Sequence, residues 1–472
     1  MTPRILLIKA KVNKSYQNNA EQPLGLLYIS SSIKQNGYTD VKLFEAEKYP
    51  YDYEEKLLEV LKEYNPDFVG ISAITAESLS VHRIADIVKK FNKKIFVNVG
   101  GPYPTYYPES CINDSNIDFL VIKEGEIVIN NLLDFLFRGI NSLDMIKGLV
   151  FKKEGRAVFN EPEELIANLD DIPLPDWGLI DFDSYREYVP QTPFLYGKRY
   201  ATIMTSRGCP YHCTYCHDMF GKNFRMHSPK RVIDEIRILH NKYGIDNIEI
   251  LDDIFNLDIK RAKTILIEKQ RLFPDVKLFF VNGLRGDILD DELIKLFKLS
   301  NTKYICLALE TGSPRIQKLI KKNLDLEKLV ANTRKIVKQK IFVNLYVMFN
   351  FPSEIVTDVY KTIKLLIRTK AHTFMPSYLI VYNNTKISEI VDKKNVIRWD
   401  NDKLCYTSIL DFINYSDMKR YQLIFLKTFS NIIFYFFFPL RWYRIIRDMP
   451  YRDFKIIKLL FKKLLTRTII LK

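Results

Sequence analysis

The chain has 472 residues, 47% of them hydrophobic, and this predicts two or three domains with full cores and excludes a disordered or low-complexity chain. A net charge of +15 predicts an anionic partner: nucleic acid, a lipid surface or a phosphate-bearing cofactor. Six cysteines in so long a chain suit metal chemistry in a reducing compartment and exclude a disulfide framework, and Thr2-Pro3-Arg4-Ile5, running straight into an apolar strand, predicts no secretory leader.

Residues 1–140 alternate strand and helix patterns. Strands are predicted at 4–10, 41–44, 68–73, 94–99 and 119–122. Helices are predicted at 24–35, ended by Asn36-Gly37, at 53–64, closed by Asn65-Pro66, and at 79–91. Strands separated by helices with short turns predict a Rossmann-like, doubly wound parallel sheet, whose ligands bind at the carboxyl ends of the strands. Residues 141–195 read as a linker. There Leu149-Val150-Phe151 and Ala157-Val158-Phe159 form a hairpin about Glu154-Gly155, and Pro173 and Pro175 suit an extended crossing.

Residues 196–375 alternate again. A buried strand at 200–206 is broken into a loop by Arg207-Gly208, and the loop carries Cys209, Cys213 and Cys216. The spacing is C-x3-C-x2-C. Three thiolates can hold three corners of a four-iron cluster and leave the fourth iron open to a ligand. Zinc is the alternative, with His212 or His217 completing the set. Further strands at 248–251, 278–285, 304–310 and 342–347, each followed by a helix-compatible segment, predict a partial (β/α) TIM-type barrel. Polar residues gather at the strand ends, as in Asp252-Asp253, Arg285, Glu310-Thr311-Gly312-Ser313 and Asn350-Phe351-Pro352-Ser353-Glu354. Cys111, Cys306 and Cys405 are expected as small buried apolar residues.

Residues 376–472 predict a mainly helical, basic and aromatic-rich region. The apolar run 431–438 is bracketed by Lys427 and Pro439 too closely to span a bilayer, which needs about 20 apolar residues. Residues 454–465 interleave Ile456, Ile457, Leu459, Leu460, Phe461 and Leu464 with lysines, a basic amphipathic helix. It reads either as a membrane-surface contact or as a cap whose apolar side packs on the barrel. The aromatic wealth also suits a pocket for a greasy substrate.

The cysteine loop resembles the cluster motif of the radical S-adenosylmethionine (radical SAM) superfamily, including the aromatic Tyr215 just before the third cysteine. The resemblance implies that Cys209, Cys213 and Cys216 ligate a 4Fe-4S cluster and that Tyr215, Asp252, Asp253, Arg285, Glu310 and Ser313 line the SAM pocket. Helix capping or pairing with Arg and Lys is the alternative for the carboxylates. The family's G-x-P-G-E run here reads Asn350-Phe351-Pro352-Ser353-Glu354; Asn tolerates a positive φ, but Ser353 puts the loop's geometry in doubt.

The first 140 residues resemble the cobalamin-binding domain that precedes many radical SAM cores. The matching pieces are Pro23-Leu24-Gly25-Leu26-Leu27, Ser72-Ala73-Ile74, Gly100-Gly101-Pro102-Tyr103-Pro104-Thr105 and Glu124-Gly125-Glu126. The resemblance implies that Ser72, Gly100, Gly101, Pro102, Thr105, Glu124, Gly125 and Glu126 face the cobalamin, with paired glycines letting backbone approach a bulky cofactor. The D-x-H-x2-G signature that supplies a histidine to cobalt is missing. His82, the region's only histidine, is expected at a helix surface, so a bound cobalt would lack a histidine from this domain. The alternative is a nucleotide-type fold that has lost its ligand.

The whole pattern over residues 1–375 resembles the cobalamin-binding-domain radical SAM class, which includes anaerobic magnesium-protoporphyrin IX monomethyl ester cyclase and carbon methyltransferases. It implies reductive cleavage of SAM to a 5′-deoxyadenosyl radical and methylation of an unactivated carbon. Oxidative cyclisation or another radical rearrangement is the second reading, and a non-catalytic cluster or cobalamin sensor is the rival of another class. A methylthiotransferase is disfavoured, since that family carries a second cysteine set and only Cys111 stands in the first domain. A reducing donor of flavodoxin or ferredoxin type, a small hydrophobic or lipid-like substrate, and a cytoplasmic location, peripheral at the inner face of the membrane, are expected. Nucleic acid is not, because the basic residues concentrate in the amphipathic tail.

Overall fold

The computed structural model describes residues 2–12, 21–382, 384–392, 412–436, 439–451, 453 and 455–459. These fall into two compact units, the first made of Met1–Val189 with Met219–Gly221, the second of the remainder from Pro190 onward.

In the first unit, runs of Val, Ile, Leu and Phe give the strands β1 (Ile5–Lys9), β2 (Val41–Glu45), β3 (Phe68–Ser72), β4 (Phe96–Gly100) and β5 (Phe119–Val121). They are all parallel, in the order β2-β1-β3-β4-β5. β1, β3, β4 and β5 are buried on both faces, as parallel strands under helices must be, and the edge strand β2 is half-buried. The helices are α1 (Leu24–Gln35), α2 (Tyr53–Tyr64), α3 (Ser78–Phe91), the short α4 (Pro102–Tyr106) and α5 (Pro108–Ile112), and α6 (Glu126–Arg138). Two apolar clusters fill the two faces, one around Leu6, Ile71, Ile84 and Val97, the other around Leu7, Ile33, Phe68 and Leu132. The predicted hairpin forms as β6 (Leu149–Lys153) and β7 (Arg156–Phe159), and it extends the sheet antiparallel to β5. The chain order reverses between β1 and β3, so the crevice at their carboxyl ends is the site such a sheet offers to a ligand.

The second unit carries β8 (Ala201–Ile203), β9 (Ser206–Arg207), β10 (Arg225–Met226), β11 (Asn247–Ile250), β12 (Lys277–Leu284), β13 (Thr302–Glu310), β14 (Phe342–Phe349) and β15 (Thr373–Tyr378). Six of them form one parallel sheet in the order β8-β11-β12-β13-β14-β15, each strand beside its neighbour in sequence. The helices α7 (Pro229–Tyr243), α8 (Ile259–Leu272), α9 (Asp291–Leu299), α10 (Pro314–Leu319), α11 (Leu326–Lys338) and α12 (Val356–Thr369) fill the crossovers. This singly wound strand order is that of a barrel wall, and among the described residues β8 and β15 do not pair to close it. Ser228, Asp258, Asp290 and Asp325 cap α7, α8, α9 and α11 by accepting a backbone N–H with the side chain.

The strand predicted over 200–206 is shorter than its composition suggests. It stops at Ile203, and Ser206–Arg207 belongs to a separate antiparallel ribbon with β10. The cause is Asp252, whose carboxylate accepts from the Thr205 amide and hydroxyl and from the Ser206 hydroxyl, drawing the chain out of the main sheet.

The C-terminal region is helical where described, with α13 (Arg420–Phe436) and α14 (Pro439–Asp448). Of the predicted basic helix at 454–465, residues 455–459 are helical and the others lie outside the described residues, as does Cys405. No single described helix is long and apolar enough to cross a membrane.

Candidate functional site

At the carboxyl edge of the first sheet the chain exposes backbone where side chains would otherwise stand. Gly101 has φ 93°, and a Cβ there would lie 2.9 Å from the Ala73 carbonyl oxygen and 3.3 Å from the Ser72 hydroxyl. Glycine is therefore required between β4 and α4, beside the end of β3. The Tyr103 amide donates to Ala73 at 3.0 Å, and Pro102 opens α4, where its missing N–H costs nothing. Thr105 is spent inside the protein: its hydroxyl donates to the Gly101 carbonyl at 2.8 Å and accepts from the Lys123 amide at 2.9 Å, binding the β4 loop to the β5 loop. Glu124 is buried and accepts from the Ile166 amide at 2.9 Å; Gly125 caps α6, and the carbonyl of Glu126 accepts from Ser32. Ser72, Gly100, Gly101 and Pro102 thus share one edge, with Thr105 and Glu124 bracing the loops behind them.

His82 is not the surface residue expected of it. It is half-buried on α3, with Nδ1 2.7 Å from Asp114 and Nε2 2.9 Å from the Tyr103 hydroxyl. With both ring nitrogens engaged, the unit's only histidine has no lone pair to offer a metal. The edge fits a cobalamin held by shape and backbone, without a histidine from this unit. Sequence reading missed one feature of this crevice: Lys9 at the end of β1 pairs with the buried Glu77 and lies 3.7 Å from Glu47. Burial pushes the Glu47 carboxyl up to about 7, against the pull of Lys9.

In the second unit the three cysteines occupy one short loop after β9, Cys209 and Cys213 half-buried and Cys216 exposed. The loop is anchored at its middle: the Thr214 amide donates to Ile320 at 3.0 Å and its carbonyl accepts from Ile387 at 2.8 Å. Burial raises the Cys209 thiol, offset in part by the Tyr211 amide bonded to it. Among the described residues no three His, Cys, Asp or Glu side chains are gathered to hold a single ion. Three soft thiols on an anchored, half-open loop fit an iron–sulfur cluster.

Around that loop the polar strand-end residues divide into two groups. Asp252 is fully buried and turned to Thr205 and Ser206, so it shapes the strand before the loop. Asp253 makes no hydrogen bond or ion pair among the described residues, and its charge raises the Cys209 thiol. It is the carboxylate left open beside the cysteines. Arg285 stacks 3.9 Å above the Tyr211 ring and spends its donors on Asp287 and on the carbonyls of Lys322 and Asn323. Ser313 is buried and donates to Asp358 at 2.5 Å. Glu310, at φ 62° on the end of β13, accepts from Lys322 at 2.9 Å, and Lys322 also reaches the Tyr215 hydroxyl at 3.3 Å. Burial first, and then Glu310, holds that phenol well above its ordinary range. Lys322 was not legible in the sequence, since nothing in Lys321-Lys322-Asn323 marks it off from a surface turn.

The run Asn350-Phe351-Pro352-Ser353-Glu354 keeps the geometry that glycines would give. Asn350 has φ 77° and Ser353 φ 60°. Arg315 holds Ser353 there, donating to its hydroxyl at 3.0 Å and to its carbonyl at 2.6 Å. The buried Glu354 accepts from the Asn350 amide at 2.6 Å.

The B12 binding domain family matches residues 14–133, and the Radical SAM superfamily matches residues 203–366. An uncharacterised methyltransferase of Pyrococcus horikoshii is 30% identical over 416 residues, spanning 88% of this chain and 87% of its own. The chain belongs to the B12-binding radical SAM family. Cobalamin, SAM and a four-iron cluster are the cofactors of this radical SAM enzyme. It is also similar to cytidylyl-2-hydroxyethylphosphonate methyltransferase of Streptomyces wedmorensis, at 30% identity over 65% of this chain and 64% of that one. Anaerobic magnesium-protoporphyrin IX monomethyl ester cyclase of Rubrivivax gelatinosus is 29% identical over 65% of this chain and 54% of that one. The fold is shared with the radical SAM methyltransferase TsrM from Kitasatospora setae, at a TM-score of 0.70 and 18% identity over 83% of this chain and 76% of that one. The cobalamin-dependent radical enzyme OxsB gives 0.69 and 19%, over 84% of this chain and 62% of its own.

Proposed function

We propose that this radical SAM enzyme methylates an unactivated carbon of a small, largely hydrophobic molecule, using an external one-electron reductant. The observation that carries the reading is the Pyrococcus methyltransferase, similar over both units and nearly the whole of each chain. When bound, the cofactors supply a carbon-centred radical and a transferable methyl group. Cys209, Cys213 and Cys216 would hold three irons, and the unpartnered Asp253 stands beside them to meet the amine of the methionyl donor. Lys322 ties Tyr215 to Glu310, so the aromatic ring before the third cysteine keeps one orientation. Asp252 and Arg285 act as positioning residues, one behind the loop and one stacked on Tyr211. Ser72 and the Gly100-Gly101 edge would admit cobalamin, and the engagement of His82 leaves its cobalt without a histidine from this unit.

The relative that forms a ring supports oxidative cyclisation as the second reading. SAM deuterated in its methyl group separates the two. Under the first reading product carries the label and S-adenosylhomocysteine accumulates with 5′-deoxyadenosine. Unlabelled product with 5′-deoxyadenosine alone would move the assignment to cyclisation, and no 5′-deoxyadenosine at all would leave a sensor.

A further inference from the structure

The helices α13 and α14 carry a surface that neither the barrel nor the catalytic reading uses. One side of α13 is packed: Leu423, Phe434 and Tyr435 are buried, and Phe434 lies 4.8 Å from the Phe374 ring on β15. The opposite side bears Tyr421, Phe425, Phe429, Ile432 and Phe436, all exposed, with Phe425 62% and Phe436 63% open. Their spacing of four, four, three and four residues sets them on one stripe of the helix. On α14, Leu440 is 74% and Tyr443 63% exposed. Rows of large apolar side chains in water mark an interaction surface.

The charge around the stripe says what covers it. Residues 412–459 hold nine Lys and Arg, of which Lys427 and Arg441 are buried, against three Asp and Glu, of which Asp417 is exposed. Two of those three acids are spoken for: Asp448 is buried against His372 and Arg447, and Asp453 faces Lys198 at 3.4 Å. Lys419 and Arg420 stand exposed at the start of the stripe, and Lys455 and Lys458 stand exposed beyond its end. No acid lies between Tyr421 and Leu440. At 17 residues α13 is about 25 Å long, short of a hydrocarbon core of about 30 Å, and α14 departs from it at 78°. The two helices together are long and apolar enough to span, but a pair bent so sharply, apolar on one side and basic at the flanks, suits lying in an interface.

We infer that the outer face of α13 and α14 docks this enzyme on an anionic phospholipid surface, with Phe425, Phe436 and Leu440 inserted at headgroup depth and the flanking lysines over the phosphates. The inference stands on the exposed face alone and does not depend on methyl transfer. A bilayer fits better than a second copy of the chain, because two such faces would set their like charges against each other.

Flotation of the full chain with liposomes tests it, comparing pure phosphatidylcholine with vesicles holding about one-third phosphatidylglycerol. The wild type should float with the anionic vesicles at low salt and bind the zwitterionic ones far less. F425E/F436E/L440E should lower the bound fraction at least about tenfold with an unchanged thermal midpoint, since every side chain changed faces water. K455E/K458E, at two exposed positions, should weaken binding to anionic vesicles alone and reduce its salt dependence. Equal flotation with both vesicle types, no flotation of the wild type, or variants that float like the wild type would each overturn the inference. So would a wild-type dimer in sedimentation velocity that the triple variant dissolves without any vesicle binding.

Discussion

The strand ends of the two units are built by opposite means. In the first, the ends of β3 and β4 are kept bare: Gly100 and Gly101 present backbone, and the nearby hydroxyl of Thr105 is consumed in joining two loops. In the second, the ends of β11, β12 and β13 are crowded with charge, and most of that charge is paired inside the protein. A bulky cofactor held by shape needs a smooth concave edge, whereas a cluster loop that binds a charged sulfonium needs a rigid polar frame around one open carboxylate. Substitutions should therefore hurt in different ways at the two edges.

The largest expected effect lies at the cysteines. Replacing Cys209, Cys213 or Cys216 by alanine removes one of three ligands, and iron content after anaerobic reconstitution should fall from about four per chain to under one. Formation of 5′-deoxyadenosine should vanish with it, while cobalt uptake by the first unit remains. A variant that keeps both iron and turnover would sink the assignment of this loop.

Next come the glycines, where the two regions should part in kind. At Gly312 a Cβ would meet Thr362 Cα at 2.7 Å and the Lys361 carbonyl at 3.0 Å, so Gly312→Ala must push α12 away from the β13 turn. A loss of about 1–3 kcal/mol in urea unfolding is expected, with cofactor affinities little changed beyond that. Gly101→Ala forces a positive φ on alanine and meets the Ala73 carbonyl, costing a similar ~1–3 kcal/mol. Its second consequence is specific: cobalamin retention should drop while iron stays. A Cβ added at Gly25 in α1 would meet nothing within 4 Å, and Gly25→Ala should stabilise by about 0.5–1 kcal/mol, as alanine does in a helix.

That division also explains what the sequence could and could not reveal. Alternating apolar runs announced β1 to β8, β11 to β14 and the helices α1 to α3, because a parallel sheet buried on both faces leaves little room for other patterns, while α6 and β15 were not announced. α1 and α2 even end where Asn36 and Asn65 said they would. The cluster cysteines were legible because their spacing is itself the site. The roles of Asp252, Ser313 and Arg285 were not, since a strand-end carboxylate or guanidinium reads the same whether it meets a ligand or a neighbouring loop. Asp252 meets Thr205, Ser313 meets Asp358, and Arg285 meets Tyr211, all long-range contacts that only folding brings together. Ser353 misled for the opposite reason: its positive φ is held by Arg315, thirty-eight residues away.

Glu354 makes the polar frame of the second unit sensitive to pH. Desolvation holds its carboxyl at about 8, against an ordinary 4.5, even though it accepts from the Asn350 and Phe351 amides. The folded chain thus keeps a proton that the unfolded chain has already lost. Stability from this group is fully present below about 4.5 and falls as pH rises toward 8, by up to about 1.4 kcal/mol per pH unit. Glu354→Gln, which keeps a neutral acceptor for those amides, should flatten that slope in urea midpoints measured from pH 5 to 8. An unchanged slope would mean that Glu354 ionises normally and that the loop tolerates a buried charge.

The smallest effect separates a structural histidine from a metal ligand. His82 holds Asp114 and Tyr103 together, so His82→Ala should cost about 1 kcal/mol through two lost hydrogen bonds. It should leave the visible spectrum of bound cobalamin where it was, since neither ring nitrogen is free to reach cobalt. Gln at the same position, able to donate and accept once each, should recover part of the stability and also leave the spectrum alone. A shift of the cobalamin bands in His82→Ala, with iron content unchanged, would mean that the α3 histidine leaves Asp114 for the metal when the cofactor enters. The first unit would then hold its cofactor by a side chain after all, and the contrast between its bare edge and the framed cluster loop would fail.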